Sequence, residues 1–331
     1  MIRLFNRRIA KIRLALAAAS VMAAASHVWA QGLPGEYLIT DRWRHVYSMY
    51  SGVTNPAYVN EENYMALRFL FANTLEEFNT HEAGFNMPLG LYDAAGVSWL
   101  MHGVNPFDET DDGGATTGKK IRDQGHFIAL SYARNVWAGL TVGGNLNIIL
   151  QNISDFTGGA GSETENATRF GFGVDVGLTW KVIRHQLLGN HILGLSTNNF
   201  VNMIMDTDEK YAAALRFSLL SDFWERRIYY GADFVLKDFL AGEGDFKPGN
   251  VKDMPWDFTQ KIGANILRIF KLYVLMGFDP SGIGHYGFAF GANMPGFFNG
   301  RDIEGMMQFV SIANGSGGEA SHITFYARTE L

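Results

Sequence analysis

The chain of 331 residues contains no cysteine and only 8 prolines. Without cysteine, a disulfide framework, thiolate metal sites and cysteine nucleophiles are all excluded. Beyond the first thirty residues no run of 18 or more apolar residues occurs, which excludes membrane-spanning helices. The nine histidines are scattered, with no pair at i, i+4 and no His-Glu-x-x-His motif. No catalytic residue, no metal site and no cofactor is therefore predicted.

One acidic stretch, Asp108 to Gly113, invites comparison with a calcium loop. An EF-hand places Asp or Asn at its third position and Glu at its twelfth. Thr110 and Lys119 stand at these positions, so the EF-hand motif fails. A looser surface cation site in this stretch stays open as an alternative to a solvated loop.

Residues 1–30 have the features of a secretory signal peptide. Five basic residues precede a short alanine-rich apolar run, and Val28-Trp29-Ala30 resembles a small-x-small cleavage site before Gln31. The apolar run of about 12 residues is shorter than the roughly 20 that a spanning helix needs. Removing the leader takes five basic residues and no acidic one from a chain of net charge −6, so the mature chain is near −11. A nucleic-acid partner is not expected, because its binding requires basic patches.

Glycine and phenylalanine are abundant, with 38 Gly and 25 Phe among 331 residues, and small or polar residues alternate with apolar ones in many segments. In a strand, successive side chains point to opposite faces, so strict alternation separates two faces. Residues 169–181 show it most clearly: apolar Phe170, Phe172, Val174, Val176, Leu178 and Trp180 alternate with Arg169, Gly171, Gly173, Asp175, Gly177, Thr179 and Lys181. This length matches the roughly 9 to 11 residues of a tilted membrane-spanning strand. The pattern predicts an all-β fold, a transmembrane antiparallel β-barrel.

About 14 such segments can be counted between residues 64 and 331, and 12 remains the alternative because three of them alternate poorly. Polar stretches near 104–124, 152–167, 200–209 and 239–256 alternate with brief connections such as 134–136. Outer-membrane barrels have long external loops and short periplasmic turns, so a periplasmic N-terminus is predicted. Three regions follow: the signal peptide (1–30), a non-alternating segment that we interpret as a hatch or plug (31–60), and the barrel (61–331).

Charges on the strands should face the lumen, because a charge on the lipid face costs roughly 2 to 4 kcal/mol at the bilayer midplane. The residues predicted on this basis to face the lumen are Arg68, Asp175, Lys181, Arg216, Asp233, Lys237 and Lys261. They indicate either a polar lumen or a barrel cross-linked by ion pairs.

Two short motifs carry a family resemblance. Asn55-Pro56-Ala57 lies shortly before the first strand, and Ile192-Leu193-Gly194-Leu195-Ser196 is followed by Asn198-Asn199. A 14-stranded barrel with these features resembles the FadL-like outer-membrane transporter superfamily, including the PorV-type proteins of the type IX secretion system. The start Gln31-Gly32-Leu33 departs from the PorV-type pattern, which leaves PorP/SprF-type barrels of the same system as the second choice.

The resemblance implies that residues 31–60 form a periplasm-side hatch inside the barrel, with Asn55, Pro56 and Ala57 as its motif. It implies either passage of hydrophobic solutes, which leave through a lateral opening, or support of surface export. The alternatives are a non-transporting assembly or anchoring component of a secretion system, and a purely structural barrel. The expected location is the bacterial outer membrane. The expected partners are outer-membrane lipid and lipopolysaccharide, with hydrophobic small molecules or secreted proteins.

Overall fold

The computed structural model describes residues 52–61, 65–74, 78–110, 116–155, 165–185, 189–204, 213–224, 227–237, 256–266, 269–279, 282–298, 301–313 and 319–330. The predicted signal peptide and residues 31–51 of the predicted hatch lie outside these ranges. No helix among the described residues is long and apolar enough to cross a membrane.

Fifteen strand segments make up nearly all of the described chain. Their bounds are β1 (Ala66–Thr74), β2 (Phe78–Pro88), β3 (Asp93–Thr110), β4 (Thr116–Trp137), β5 (Leu140–Asp155), β6 (Glu165–His185), β7 (Gly189–Asn198), β8 (Val201–Ile204), β9 (Ala214–Phe223), β10 (Ile228–Lys237), β11 (Trp256–Ile266), β12 (Phe270–Asp279), β13 (Gly282–Phe298), β14 (Arg301–Ala313) and β15 (Glu319–Glu330). A 3-10 helix, Pro56–Glu61, precedes β1.

The strands close into a barrel. Sequential strands pair antiparallel, and the first pairs with the last, from Ala66 opposite Glu330 to Thr74 opposite His322. β7 and β8 both pair with β6, so they are two parts of one strand interrupted at Asn199 and Phe200. The barrel therefore has 14 strands. This confirms the predicted fold class and the predicted strand number.

The two faces of the wall differ as the alternation predicts. On β6, Phe172 is 40% and Trp180 47% exposed, whereas Asp175 between them is 3% exposed. Because the wall is closed, the buried face is the lumen and the exposed face is the outside. The outer face is apolar on strands all around the barrel, as a lipid-facing surface requires.

The connections at one end of the barrel are short, and we call this the short-turn end. Residues 134–136, predicted as a turn, belong to β4, and the turn lies at Ala138–Gly139. There the φ angles are 36° and 88°, both positive as in a type I′ hairpin, in which Gly is favoured. The predicted loops at 104–124 and 152–167 were also too long, because β3 to β6 extend into them as paired ribbons.

Aromatic side chains surround the short-turn end on the outside. Trp137, Trp180, Trp224 and Phe270 are exposed there, as in the aromatic girdle of membrane barrels. Tyr229 also lies near this end, but it packs against buried residues of the lumen. Tyr229 follows the alternation of β10 and therefore shares the inner face with Gly231 and Asp233.

Candidate functional site

Residues 52–61, which we call the N-terminal segment, lie inside the barrel against the inner faces of β4, β5 and β6. Every residue from Gly52 to Val59 is buried. The segment begins in mid-lumen beside Asn145 and ends near the short-turn end, where the chain enters β1.

Three glycines of the wall make room for this segment. A Cβ atom on Gly143 would lie 2.5 Å from Ala57 N, one on Gly177 would lie 2.1 Å from Asn55 Oδ1, and one on Gly194 would lie 2.8 Å from the Tyr58 hydroxyl. Contacts this short are not possible for real side chains. The inward-facing glycines of β5, β6 and β7 therefore form a cradle that admits the Asn55–Tyr58 turn, its backbone at Ala57 and its side chains at Asn55 and Tyr58.

Local chemistry explains the shape of Asn55-Pro56-Ala57. The Asn55 side-chain Oδ1 accepts a hydrogen bond from Ala57 N at 3.0 Å, which is an Asx turn. Asn55 O accepts from Tyr58 N at 3.0 Å, and Pro56 starts the 3-10 helix with its φ already suited to it. The Asn55 amide then donates to Leu178 O of β6 at 3.1 Å, so the same side chain shapes the turn and fastens it to the wall.

Side chains of the wall satisfy the backbone carbonyls of the segment. Asn145 Nδ2 donates to Gly52 O at 3.0 Å, Ser196 Oγ to Thr54 O at 2.9 Å, and Asn198 Nδ2 to Val53 O at 3.2 Å. Buried backbone groups require such partners, because an unsatisfied carbonyl costs free energy. These contacts tie the segment to β5 and β7.

The end of the N-terminal segment, at Glu61, is held by an ion pair and a hydrogen bond. Thr179 donates to Glu61 Oε1 at 2.9 Å, and Lys181 Nζ forms an ion pair with Glu61 Oε2. Lys181 was predicted as a lumen charge, and the structure places it at the short-turn end of the lumen with this partner. Glu61 was not singled out from sequence, because it lies outside the alternating strands.

Asp175 lies where the interrupted strand meets the wall. Its carboxylate accepts from Asn147 Nδ2 at 2.8 Å, from Asn145 Nδ2 at 3.3 Å and from Asn199 N at 2.7 Å. Asn199 has φ 54°, a left-handed conformation that Asn tolerates better than most residues. Asp175 thus stabilises both the cradle and the break between β7 and β8.

Thr197 replaces the missing backbone pairing beside that break. Val176 N donates to Thr197 Oγ1 at 3.2 Å, and Thr197 Oγ1 is 3.4 Å from Val176 O. The β6–β7 ladder otherwise stops at Gly177 opposite Ser196 and resumes at Val174 opposite Val201. One hydroxyl therefore closes a gap in the wall.

On the other side of the lumen the inner face is apolar. The buried cluster there consists of Leu70, Tyr273, Leu275, Ala289, Met306, Val310 and Tyr326, which come from β1 and β12 to β15. We call it the inner apolar wall. The lumen of a membrane barrel is ordinarily polar, so five adjacent strands with apolar inner residues distinguish this one. The sequence carried a signal for it: β12 reads Phe-Lys-Leu-Tyr-Val-Leu-Met, apolar on both faces beyond Lys271.

Between these two regions lies a charged strip on β9 to β11. Arg216 Nε donates to Asp233 Oδ1 at 2.9 Å, with both side chains almost completely buried. Lys261 of β11 is buried in the next strand, and Arg68 is buried on β1. The side chain of Lys237 and those of Asp108 to Asp112 lie outside the described residues.

Among the described residues no group of three or more His, Asp or Glu side chains could hold a metal ion. The polar interior is instead organised as hydrogen bonds and ion pairs between wall and segment.

No protein-family model and no curated protein matches this chain. Solved structures do resemble it. The Pseudomonas putida toluene transporter TodX superposes with a TM-score of 0.54 at 12% identity, over 84% of this chain and 91% of that one. The CymD monoaromatic hydrocarbon channel gives 0.51 at 11% identity, over 85% and 92%. A Pseudomonas aeruginosa FadL homologue gives 0.50 at 9% identity, over 83% and 92%.

The fold is that of the FadL-type channels. These neighbours are channels rather than enzymes, in line with the absence of a predicted catalytic residue. The comparisons support the FadL-like part of the sequence resemblance and give no support to its PorV or PorP/SprF part.

Proposed function

We propose that this protein is an outer-membrane channel for small hydrophobic molecules, with the N-terminal segment as its hatch. The observation that carries the proposal is the inner apolar wall, since a lumen built for sugars or ions would present polar side chains there. Neutral monoaromatic hydrocarbons are the solute class we favour. The buried rings of Tyr273 and Tyr326 and the polarisable thioether of Met306 make this wall chemically suited to such a solute.

In this proposal the N-terminal segment blocks the direct route along the barrel axis. It fills the lumen beside β4 to β6, and Asn198 joins it to the interrupted strand. The break between β7 and β8 is the place where the wall depends on Thr197 and Asp175 side chains rather than on its backbone ladder. We assign the lateral exit of the solute to this break.

The first test uses one position of the inner apolar wall. Met306→Gln introduces a polar amide into the wall, whereas Met306→Leu keeps it apolar with nearly the same volume. We expect uptake of radiolabelled toluene into cells expressing Met306→Gln to fall several-fold, and uptake by Met306→Leu to stay near that of the wild type. Heat-modifiable migration on SDS gels checks that each variant is a folded barrel. Equal uptake by both folded variants would refute a solute path along this wall.

The second test concerns the hatch. Deletion of residues 32–60 should raise single-channel conductance in planar bilayers, because it removes the segment that fills the lumen. Gly144→Ala, on the lipid-facing side of β5, serves as a control that leaves the lumen unchanged. A deletion variant that is folded and shows the wild-type conductance would contradict the assignment of this segment as a hatch.

A second role, assembly or anchoring in protein secretion, rests on a different surface. The turn after β2 is apolar at the short-turn end, with Leu91 93% exposed beside Leu89 and Tyr92. A secretion partner in the periplasm could dock there. Co-purification with secreted proteins that is lost in Leu91→Asp, with toluene uptake unchanged, would favour this role over the channel.

A further inference from the structure

A cavity opens on the outer face of the barrel. It has a volume of about 770 Å³. Its lining residues form consecutive triplets on β1, β2, β13, β14 and β15, such as Phe69, Leu70 and Phe71, and Trp99 and Phe270 complete the lining. In each triplet the side chains of the first and third residues point out of the barrel, and that of the second points inward. The cavity therefore lies over the outer face and contacts the second residue from its outward side.

The strand register shows how this cavity arises. Ala292, Gly305 and Ala327 are direct partners across β13, β14 and β15, which makes a floor of three small residues in one row. Phe270 is the partner of Ala292 at one end of this row, and beyond Ala327 the row continues through Phe69 and Ala83 to Trp99. We call this depression the outer groove.

Large side chains border the outer groove toward the opposite end of the barrel. The next outward row across the same three strands consists of Phe290, Met307 and Phe325, again in direct register. Phe69, Phe290 and Phe325 are each about half exposed on the outer face. The groove is thus bordered by large side chains along this row and by Phe270 at one end.

Gly305 determines the depth of the groove. A Cβ atom built on Gly305 would meet no other atom within 4 Å. The absence of a side chain there is therefore not required by packing within the protein. It leaves space that is open to whatever surrounds the barrel.

We propose that the outer groove binds one hydrocarbon chain of a membrane phospholipid. The groove is continuous with the lipid-facing surface, its lining is apolar apart from His81 and Glu82, and its volume is in the range of ligand sites, roughly 300–1,000 Å³. Inside a bilayer no water drives apolar surfaces together, so retention depends on van der Waals contact with a fitted surface. The fixed backbone floor and the aromatic frame supply that contact on several sides of one chain.

The groove lies in the half of the wall that is nearer the short-turn end, because Phe270 is the first residue of β12 and Ala327 is close to the end of β15. With the predicted orientation, this is the periplasmic leaflet. A phospholipid of that leaflet is therefore the occupant, rather than lipopolysaccharide of the outer leaflet. The site does not depend on the proposed channel function.

The test fills the groove without disturbing the fold. Gly305→Leu places a side chain into the open space, and Gly144→Leu is the matched control, because Gly144 also faces outward and a Cβ there would make only an ordinary 3.6 Å contact with Asp175 O. Each protein is purified from membranes in a mild detergent, and co-purified phospholipid is counted by native mass spectrometry. Wild type and Gly144→Leu should retain one phospholipid per barrel, and Gly305→Leu should lose it.

A second measurement removes the dependence on detergent. In phosphatidylethanolamine–phosphatidylglycerol vesicles, spin-labelled phospholipid should show a motionally restricted fraction that is smaller for Gly305→Leu than for Gly144→Leu. Equal lipid retention and equal restricted fractions in the two variants would overturn the proposal. So would a dimer that only Gly305→Leu dissociates, because a second copy of the chain would then occupy the groove.

Discussion

At the scale of single residues, the absence of a side chain matters as much as its presence. Gly143, Gly177 and Gly194 alternate with outward-facing apolar residues along β5, β6 and β7. In the structure each one accommodates a particular atom of the Asn55–Tyr58 turn. The residues that satisfy this turn, Asn145 and Ser196, are ordinary polar residues of the inner face.

The cradle can be tested with one methyl group. Gly177→Ala would bring Cβ to 2.1 Å from Asn55 Oδ1, and Asn55 cannot retreat while it donates to Leu178 O. We expect the N-terminal segment to be displaced, at a cost of about 1–3 kcal/mol as for other overpacked sites. Limited proteolysis should then cleave between residues 52 and 61 faster than in the wild type. Gly144→Ala is the control on the same wall, and equal cleavage of the two variants would contradict the cradle.

The buried ion pair of the charged strip gives a second prediction. Asp233→Asn leaves Arg216 buried without its counter-charge, and breaking such a pair by removing one partner costs about 3–5 kcal/mol. The double variant Arg216→Met/Asp233→Asn should lose less stability than Asp233→Asn alone, because no unpaired arginine remains. Urea unfolding in lipid vesicles measures both. If the loss of unfolding free energy in the double variant equals the sum of the losses in the two single variants, the two residues do not interact.

At the scale of secondary structure, the interrupted strand is the element that alternation describes worst. The Gly189–Asn198 part was among the segments with broken alternation, and the reason is visible in the pairing. Five steps of chain from Ser196 to Val201 lie opposite three steps from Gly177 to Val174 on β6. The extra residues are accommodated by Asn199 in a left-handed conformation and by side chains that bind backbone groups.

We expect the break to loosen when the Thr197 hydroxyl is removed. Thr197→Val keeps the branched shape but deletes the acceptor for Val176 N. A hydrogen bond of this kind contributes about 0.5–1.5 kcal/mol, which corresponds to exchange of the Val176 amide faster by a factor between about 2 and 12. Hydrogen–deuterium exchange of the reconstituted barrel measures it. Thr168→Val, which removes a hydroxyl bonded only to the Asn152 side chain, should leave Val176 exchange unchanged.

At the scale of the whole molecule, closure decides stability. Neighbouring strands pair all around the described ring, including β1 with β15, so the sheet does not end in a free strand of full length. Unfolding must therefore break a closed ring of hydrogen bonds. The barrel should resist SDS at room temperature and unfold only on heating.

This resistance predicts two positions on an SDS gel. Unheated protein from the outer-membrane fraction should migrate faster than its boiled form, because the folded barrel is more compact than the unfolded chain. A single position for heated and unheated samples, or recovery of the protein in a soluble periplasmic fraction, would contradict a membrane-embedded barrel. The unfolded chain prepared from urea serves as the marker for the boiled form.

The sequence by itself determined the fold class and the two faces of the clearly alternating strands, and it limited the number of strands to 12 or 14, between which the pairing decided. It could do so because side-chain direction along a strand is a local property with a period of two. Arg68, Asp175, Arg216, Asp233 and Lys261 were predicted from this period alone, and the structure places all five on the buried face. The side chain of Lys237 lies outside the described residues.

Only the tertiary structure decided which inner residues meet. Glu61 reaches Lys181 across 120 positions of sequence, the glycine cradle is assembled from three strands, and the inner apolar wall joins β1 to β12–β15. The outer groove likewise exists only because three small residues fall into one row. Which residues these features bring together depends on register and closure, which arise from pairing between distant strands and leave no periodic mark in the chain.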